Sequence, residues 1–248
     1  MTFWEHLDEL RKVLFRSVIL FIILLAVIFL NKSFVFEKII FAPASSDFIL
    51  FRLLKNFSEP FSLELINIEL SSQFFTHISV SATLAFILSV PFILHQLWTF
   101  IKPGLYEKER RAVNVSFGFA AILFFAGVLV GYYFVFPLTV RFLGTYQVSE
   151  LVENQISLKS YISMFTRLIL IMGLVFEMPA LVLILSRIGV LSKRVMKKYR
   201  KHAFVALVII AAVITPSGDA FTLFIVSAPL YLLYEFSVLI CRDLDKQS

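Results

Sequence analysis

The chain has 248 residues, 59% of them hydrophobic and only 16% charged, with a mean hydropathy of +0.89; a soluble domain is nearer half apolar and a quarter charged, and the apolar residues here fall in long blocks, which excludes one oversized soluble core in favour of several spanning helices. The formal net charge of +6 does not point to nucleic acid, because the bases flank the apolar blocks, where membrane topology accounts for them. A single cysteine, Cys241, excludes an intrachain disulfide, and residues 1–12 show no cleavage pattern before the first apolar run, so no cleavable signal is read.

Residues 2–12, TFWEHLDELRK, have helical periodicity. Phe3, Leu7, Leu10 and Leu14 fall on one face and Glu5, Asp8, Glu9 and Lys12 on the other. This predicts an amphipathic interfacial helix, anchored by Trp4, running into a first span over about 13–30. Residues 31–72 are too polar to span. Pro43 and Pro60 divide them, and the amphipathic piece FILFRLLKNF at 48–57 predicts short helices packed as a cap over one membrane face. A second span runs over about 74–98 with Pro91 inside it.

The stretch WTFIKPGLYEKERR, Trp98 to Arg111, separates the second span from a third at about 112–137. Pro103-Gly104 breaks the backbone; Trp98, Phe100 and Tyr106 bracket the break, and Glu107, Lys108, Glu109, Arg110 and Arg111 follow it. By composition it is either a solvated turn or a receptor for a basic ligand. Residues 138–158 read as a second loop on the cap side. The fourth span, about 160–185, carries Glu177-Met178-Pro179 in its interior. After a run with seven Lys or Arg between 187 and 201, the apolar run 203–214 has only 12 residues, roughly 18 Å against a hydrocarbon core of about 30 Å. A turn at Thr215-Pro216-Ser217-Gly218-Asp219 leads to a last span at about 221–240 containing Pro229 and Glu235. The expectation is an all-α integral membrane protein of six spans with a short fifth. Sixteen Lys and Arg fall on the side of both termini against six on the cap side, and the positive-inside rule puts the sixteen in the cytoplasm.

Three kinds of residue could carry function. Glu177 lies within a span, where an acid costs about 2.5–3.5 kcal/mol to insert and marks a bundle interior or wet cavity. Pro179 frees the carbonyl of Val175, so the acid is either a local partner of that kink or a polar site. Glu9 and Glu109 sit at the cytoplasmic headgroup level beside apolar faces. Singly each reads as a solvated charge; together they suit a ligand bearing guanidinium groups, which pair bidentately with carboxylates. Asp219 reads as an N-cap for the last span. His6, His77, His95 and His202 lack metal-ligand spacing, and no nucleotide loop, HExxH or nucleophile-elbow motif is present, so neither a metal, a cofactor nor an enzyme is expected. A proton-coupled small-solute transporter using Glu177 and a scaffold for single-span proteins remain as rivals, the first weakened by the lack of an internal repeat.

HLDELRK at 6–12, FAP around Pro43, QFFTHIS opening the second span, PFILHQLWTFIKPGLYEKERR from Pro91 to Arg111, FEMP at 176–179, ITPSGDAFT at 214–222 and APLYLLYE at 228–235 run in order from one end of the chain to the other. In these stretches the chain resembles the TatC family, receptor subunits of the twin-arginine protein translocase. The resemblance implies a six-helix cupped bundle in a prokaryotic cytoplasmic membrane, with both termini cytoplasmic. It also implies binding of twin-arginine signal peptides of folded cargo, export driven by the proton-motive force, homo-oligomers, and partners of the TatA and TatB single-span type. By position it assigns Glu9 and Glu109 to the two arginines, with Phe100, Tyr106 and Leu10 around them. It places Glu177, with Pro179, Thr215 and Asp219, on the side where partner helices and inserted peptide dock, and makes Pro43 an important cap position. The chain departs from the family at Ser79, often Lys, at Leu223, often Gln, and at Val13, often basic.

Overall fold

The computed structural model describes residues 3–53, 63–102, 107–149, 151, 154–215 and 218–241, with backbone alone at residue 3 and at 107–116. The amphipathic start and the first apolar block form one helix, α1 (Phe3–Leu30). It lies along α3 (Ser72–Ile101), which passes Pro91 without interruption, and Val13, Ser17 and Ile28 are its buried positions. Leu7, Leu10 and Leu14 stay exposed, as suits a stripe meant for lipid rather than protein.

Helix α4 (Glu107–Val130) continues through a single widened turn, Gly131–Val135, into α5 (Phe136–Thr145). The sequence reading ended this span at Pro137 and began a loop at 138; the helix instead runs eight residues further, to Thr145. Pro137 sits in the first turn of α5, where a missing N–H costs little. Next come α6 (Leu158–Val175) and α7 (Met178–Arg187), separated at Phe176 and Glu177, then short α8 (Lys193–Lys198), α9 (Arg200–Ile214) and α10 (Ala220–Ile240). Among the described residues five helical stretches are long and apolar enough to cross a membrane: Trp4–Leu30, Ser72–Ile101, Phe117–Thr145, Leu158–Arg187 and Ala220–Ile240. Helix α9, at 15 residues, spans about 22 Å and falls short of a full crossing.

Between α1 and α3 the chain makes a π-helical segment Phe34–Ile40, a 3₁₀ turn Ala42–Ala44, helix α2 (Ile49–Leu53) and strand β1 (Leu65–Ile66). Strand β2 (Ile156–Ser157) pairs with β1 in parallel, Leu65 opposite Ile156 and Ile66 opposite Ser157. Beside this ladder Lys159 Nζ contacts both carboxylate oxygens of Glu69, at 2.8 and 3.0 Å. Phe48 packs on Tyr132 and Tyr133 at 5.6 and 5.7 Å. Two tyrosines anchor this layer to the helices beneath it: Tyr132 Oη donates to the carbonyl of Ile39 at 2.8 Å and Tyr161 Oη to that of Ile40 at 2.7 Å. Tyr161 is 1% exposed. Phenylalanine at 161 keeps the packing against Phe136 but leaves the Ile40 carbonyl without its partner, and is expected to cost about 1–3 kcal/mol, read as a lowered thermal midpoint in detergent.

The centre of the molecule lies where α4 and α6 cross. Phe124, Phe136, Tyr161, Phe165, Leu168 and Met172 are fully buried there, and the Phe136 ring meets those of Tyr161 and Phe165 edge-on at 5.3 and 5.0 Å. The crossing is close because Gly127 of α4 and Gly131 of the widened turn after it face Met172 and its neighbours, while Gly173 of α6 faces Phe124 and Val128. With no hydrophobic drive between helices in lipid, small residues that let backbones approach supply the packing gain.

Candidate functional site

The acidic start of α1 and the end of α3 meet at one end of the bundle. The His6 imidazole stacks on Phe100, centroids 4.2 Å apart and planes 22° from parallel. Trp98, two residues earlier, is buried against Phe117 of α4 at 5.3 Å, so these two aromatic residues at the end of α3 fasten α1, α3 and α4 together. One turn along α1 from His6, the Glu9 carboxylate receives Lys12 Nζ at 2.8 Å, with both side chains solvent-accessible. An exposed pair of this kind is worth little, so Glu9 is available to a better donor. Leu10 lines an apolar groove of about 310 Å³ between α1 and α3, whose far wall is Phe86, Ile93 and Leu97. Of the other residues placed here by the sequence, Glu109 lies in the first turn of α4, with its side chain outside the described set, and Tyr106 lies outside the described residues.

Glu177 occupies the interruption between α6 and α7. Pro179 is buried in the first turn of α7; its missing N–H explains the break. The chain crosses it by a tighter bond from Glu177 N to the Leu174 carbonyl, and the α-helical pattern resumes with Leu181 N donating to Glu177 O. Glu177 caps nothing: its side chain makes no N-cap bond, and its Oε1 atom is buried without a hydrogen-bond partner among the described residues. A buried carboxylate oxygen left in this way is a costly feature.

Thr215 and Asp219 do local work. Thr215 ends α9, its hydroxyl donating to the Ala211 carbonyl at 3.0 Å. Asp219 Oδ1 accepts from Thr222 N at 2.7 Å as the N-cap of α10. Pro216 and Ser217 between them lie outside the described residues. Pro43 is buried in the 3₁₀ turn, next to the carbonyls that the two tyrosines hold. At the opposite end of α10, Glu235 takes the Tyr231 hydroxyl at 3.1 Å, an i,i+4 contact, and Arg200 at 2.6 Å, a pairing that spacing along one chain could not reveal. The glycine contact was visible as Gly127-xxx-Gly131 in the third span.

Comparison with known proteins gives one answer. The family model described as "Sec-independent protein translocase protein (TatC)" matches residues 5–229. The TatC protein of a Blattabacterium from Periplaneta americana is 38% identical over 100% of this chain and 97% of its own length. That of Aquifex aeolicus is 34% identical over 96% of this chain and 93% of its own length. A crystal structure of the twin arginine translocase receptor TatC superposes with a TM-score of 0.75, at 34% identity over 95% of this chain and 97% of the other. A second, in the detergent DDM, gives 0.77 over 96% and 99%.

Proposed function

The chain belongs to the TatC family of Sec-independent protein translocase proteins, and from that premise we propose that it is the signal-peptide receptor of a twin-arginine translocation system. It is a multi-pass membrane protein and a translocase component; its relatives are named for transport rather than catalysis, and they leave the solute-transporter reading without support. In the proposed arrangement α9 is a short fifth crossing, giving six spans with both termini in the cytoplasm of a prokaryotic inner membrane. The described residues between α1 and α3 cap the outer face.

The observation that carries the reading is the His6–Phe100 stack, which sets the Glu9-bearing turn of α1 against the end of α3. Two carboxylates at that edge accept the paired guanidinium groups of a folded cargo's signal peptide, Phe100 and Tyr106 frame them, and Leu10 opens the apolar groove alongside. The peptide then inserts toward the side carrying Glu177, where TatA- and TatB-type single-span helices dock against this chain and its copies. The proton-motive force drives the cargo outward. The buried, unpartnered Oε1 of Glu177 supports its role as a polar contact for an inserted segment.

The test uses the full chain in membranes and a photo-crosslinkable signal peptide in Arg-Arg and Lys-Lys forms. Lysine is a point charge without the planar fork, so the Lys-Lys form is expected to crosslink at least about tenfold less. Equal capture of the two peptides overturns the receptor assignment.

A further inference from the structure

We propose that the far side of the molecule, opposite the N-terminus of α1, carries a water-filled cleft that runs between α3 and α6 into the membrane. The cavity has a volume of about 320 Å³ and does not touch the Glu9 end. One wall is Ser72, Phe75, Thr76 and Ser79 of α3; the other is Ile162, Ser163 and Thr166 of α6. Its mouth is bounded by the Glu69–Lys159 ion pair.

Depth and chemistry together select the occupant. Ser72 to Ser79 and Lys159 to Thr166 each cover seven residues, about 10 Å of helix rise, or roughly a third of a hydrocarbon core. Lipid does not fill a hydroxyl-lined slot at that depth without leaving polar atoms unpaired. Two of the hydroxyl protons are already used inside their own helices. Thr76 Oγ1 donates to the Ser72 carbonyl, and Thr166 Oγ1 to the carbonyls of Ile162 and Ser163 at 2.9 and 3.2 Å. Their oxygens are left as acceptors, so the cleft presents acceptor sites with the Glu69 carboxylate at its entrance. Water, a small donor, satisfies these, and at about 30 Å³ per molecule the cavity takes several.

The cleft has a floor. It ends at Ser79 and Thr166, and Gly173, seven residues beyond Thr166 on the same stripe of α6, is packed against Phe124 and Val128 of α4. This goes beyond the receptor reading and does not depend on which side of the membrane is the cytoplasm.

The test is thiol labelling of variants with one added cysteine in the full chain with a membrane-impermeant maleimide, applied to sealed vesicles of both orientations. The wild-type chain, whose Cys241 is buried, serves as the blank. Ser79→Cys and Ile78→Cys sit at the same depth, but Ile78 lies outside the cleft and is 38% exposed at the helix surface. A thiolate reacts in water and is disfavoured in hydrocarbon, so Ser79→Cys is expected to label at least about tenfold faster than Ile78→Cys. It should do so from the side opposite to the one that labels Asp8→Cys. Ser163→Cys on the facing wall repeats the measurement if Ser79→Cys fails to accumulate. Labelling of cleft cysteines no faster than Ile78→Cys, or from the same side as Asp8→Cys, overturns the proposal. The Lys-Lys peptide experiment reads a different end of the molecule, so the two ideas fail separately.

Discussion

Exchanging Glu9 and Glu109 together for alanine is expected to weaken capture of an Arg-Arg signal peptide about a hundredfold, with either single change costing about tenfold. Glu9 is already engaged in the free protein. Its carboxylate already has a donor in Lys12 at 2.8 Å, but an accessible lysine is a strongly hydrated point charge, whereas an arginine brings two parallel N–H groups to the same two oxygens. Exchange is therefore favourable for arginine and close to neutral for lysine, which is why the acid pair discriminates rather than merely attracts. Because Glu9 sits on an accessible turn, its removal takes away no packing, and the variant should be present in membranes at the wild-type level. Anisotropy titration of a labelled peptide against detergent-solubilised protein measures the change. An affinity within twofold of wild type in the double variant removes both acids from the site.

Valine at position 127 is expected to cost about 3 kcal/mol or more and to lower the thermal midpoint by on the order of 10 °C. A Cβ built on Gly127 stands 2.5 Å from the Met172 carbonyl oxygen and 2.6 Å from Phe176 Cβ. Neither neighbour is the free end of a flexible side chain. One is backbone, and the other is fixed to the turn that leads into Glu177, so the clash is relieved only by moving α4 away from α6. Gly118→Ala is the matched control: nothing lies within 4 Å of a Cβ there, and in a helix that change is neutral or stabilising by up to about 1 kcal/mol. Melting curves of the two variants, followed by tryptophan fluorescence, decide the matter, and equal midpoints contradict the close crossing. Since Phe176 precedes Glu177, Gly127→Val should also disturb the intramembrane acid, a loss of function that starts from packing.

Much of this was legible along the chain, because a bilayer imposes a simple demand on sequence. Blocks of apolar residues must be helices of sufficient length, and Pro179 marked a kink at the residues just before it. Asp219, three residues before Thr222 and opening an apolar run, carried the mark of an N-cap. Proline was misleading once. Pro137 looked like an end, but a widened turn at 131–135 lets it serve as a beginning. What the sequence did not disclose was pairing between distant segments. His6 on Phe100, Arg200 on Glu235, and Tyr132 and Tyr161 on two consecutive carbonyls depend on how the helices are arranged, and no periodicity records that. The Ser and Thr residues of α3 and α6 were likewise unreadable as a cleft, since each alone is an ordinary helix residue whose hydroxyl can bond its own backbone.

The short parallel ladder between β1 and β2 has a bearing on how such a chain is assembled. Its strands belong to segments about 90 residues apart, as does the Lys159–Glu69 pair beside it. They can meet only after α3, α4 and α5 have been threaded so that both segments emerge on one face. A chain inserted with one of these helices inverted leaves the two strands on opposite sides of a membrane, and no rearrangement within one leaflet unites them. Closing so long a loop adds only slowly to the entropic cost, so even two residues of ladder and one ion pair suffice to favour the threaded state once it exists. They act as a topological checksum, satisfied by one insertion order and by none of its inversions.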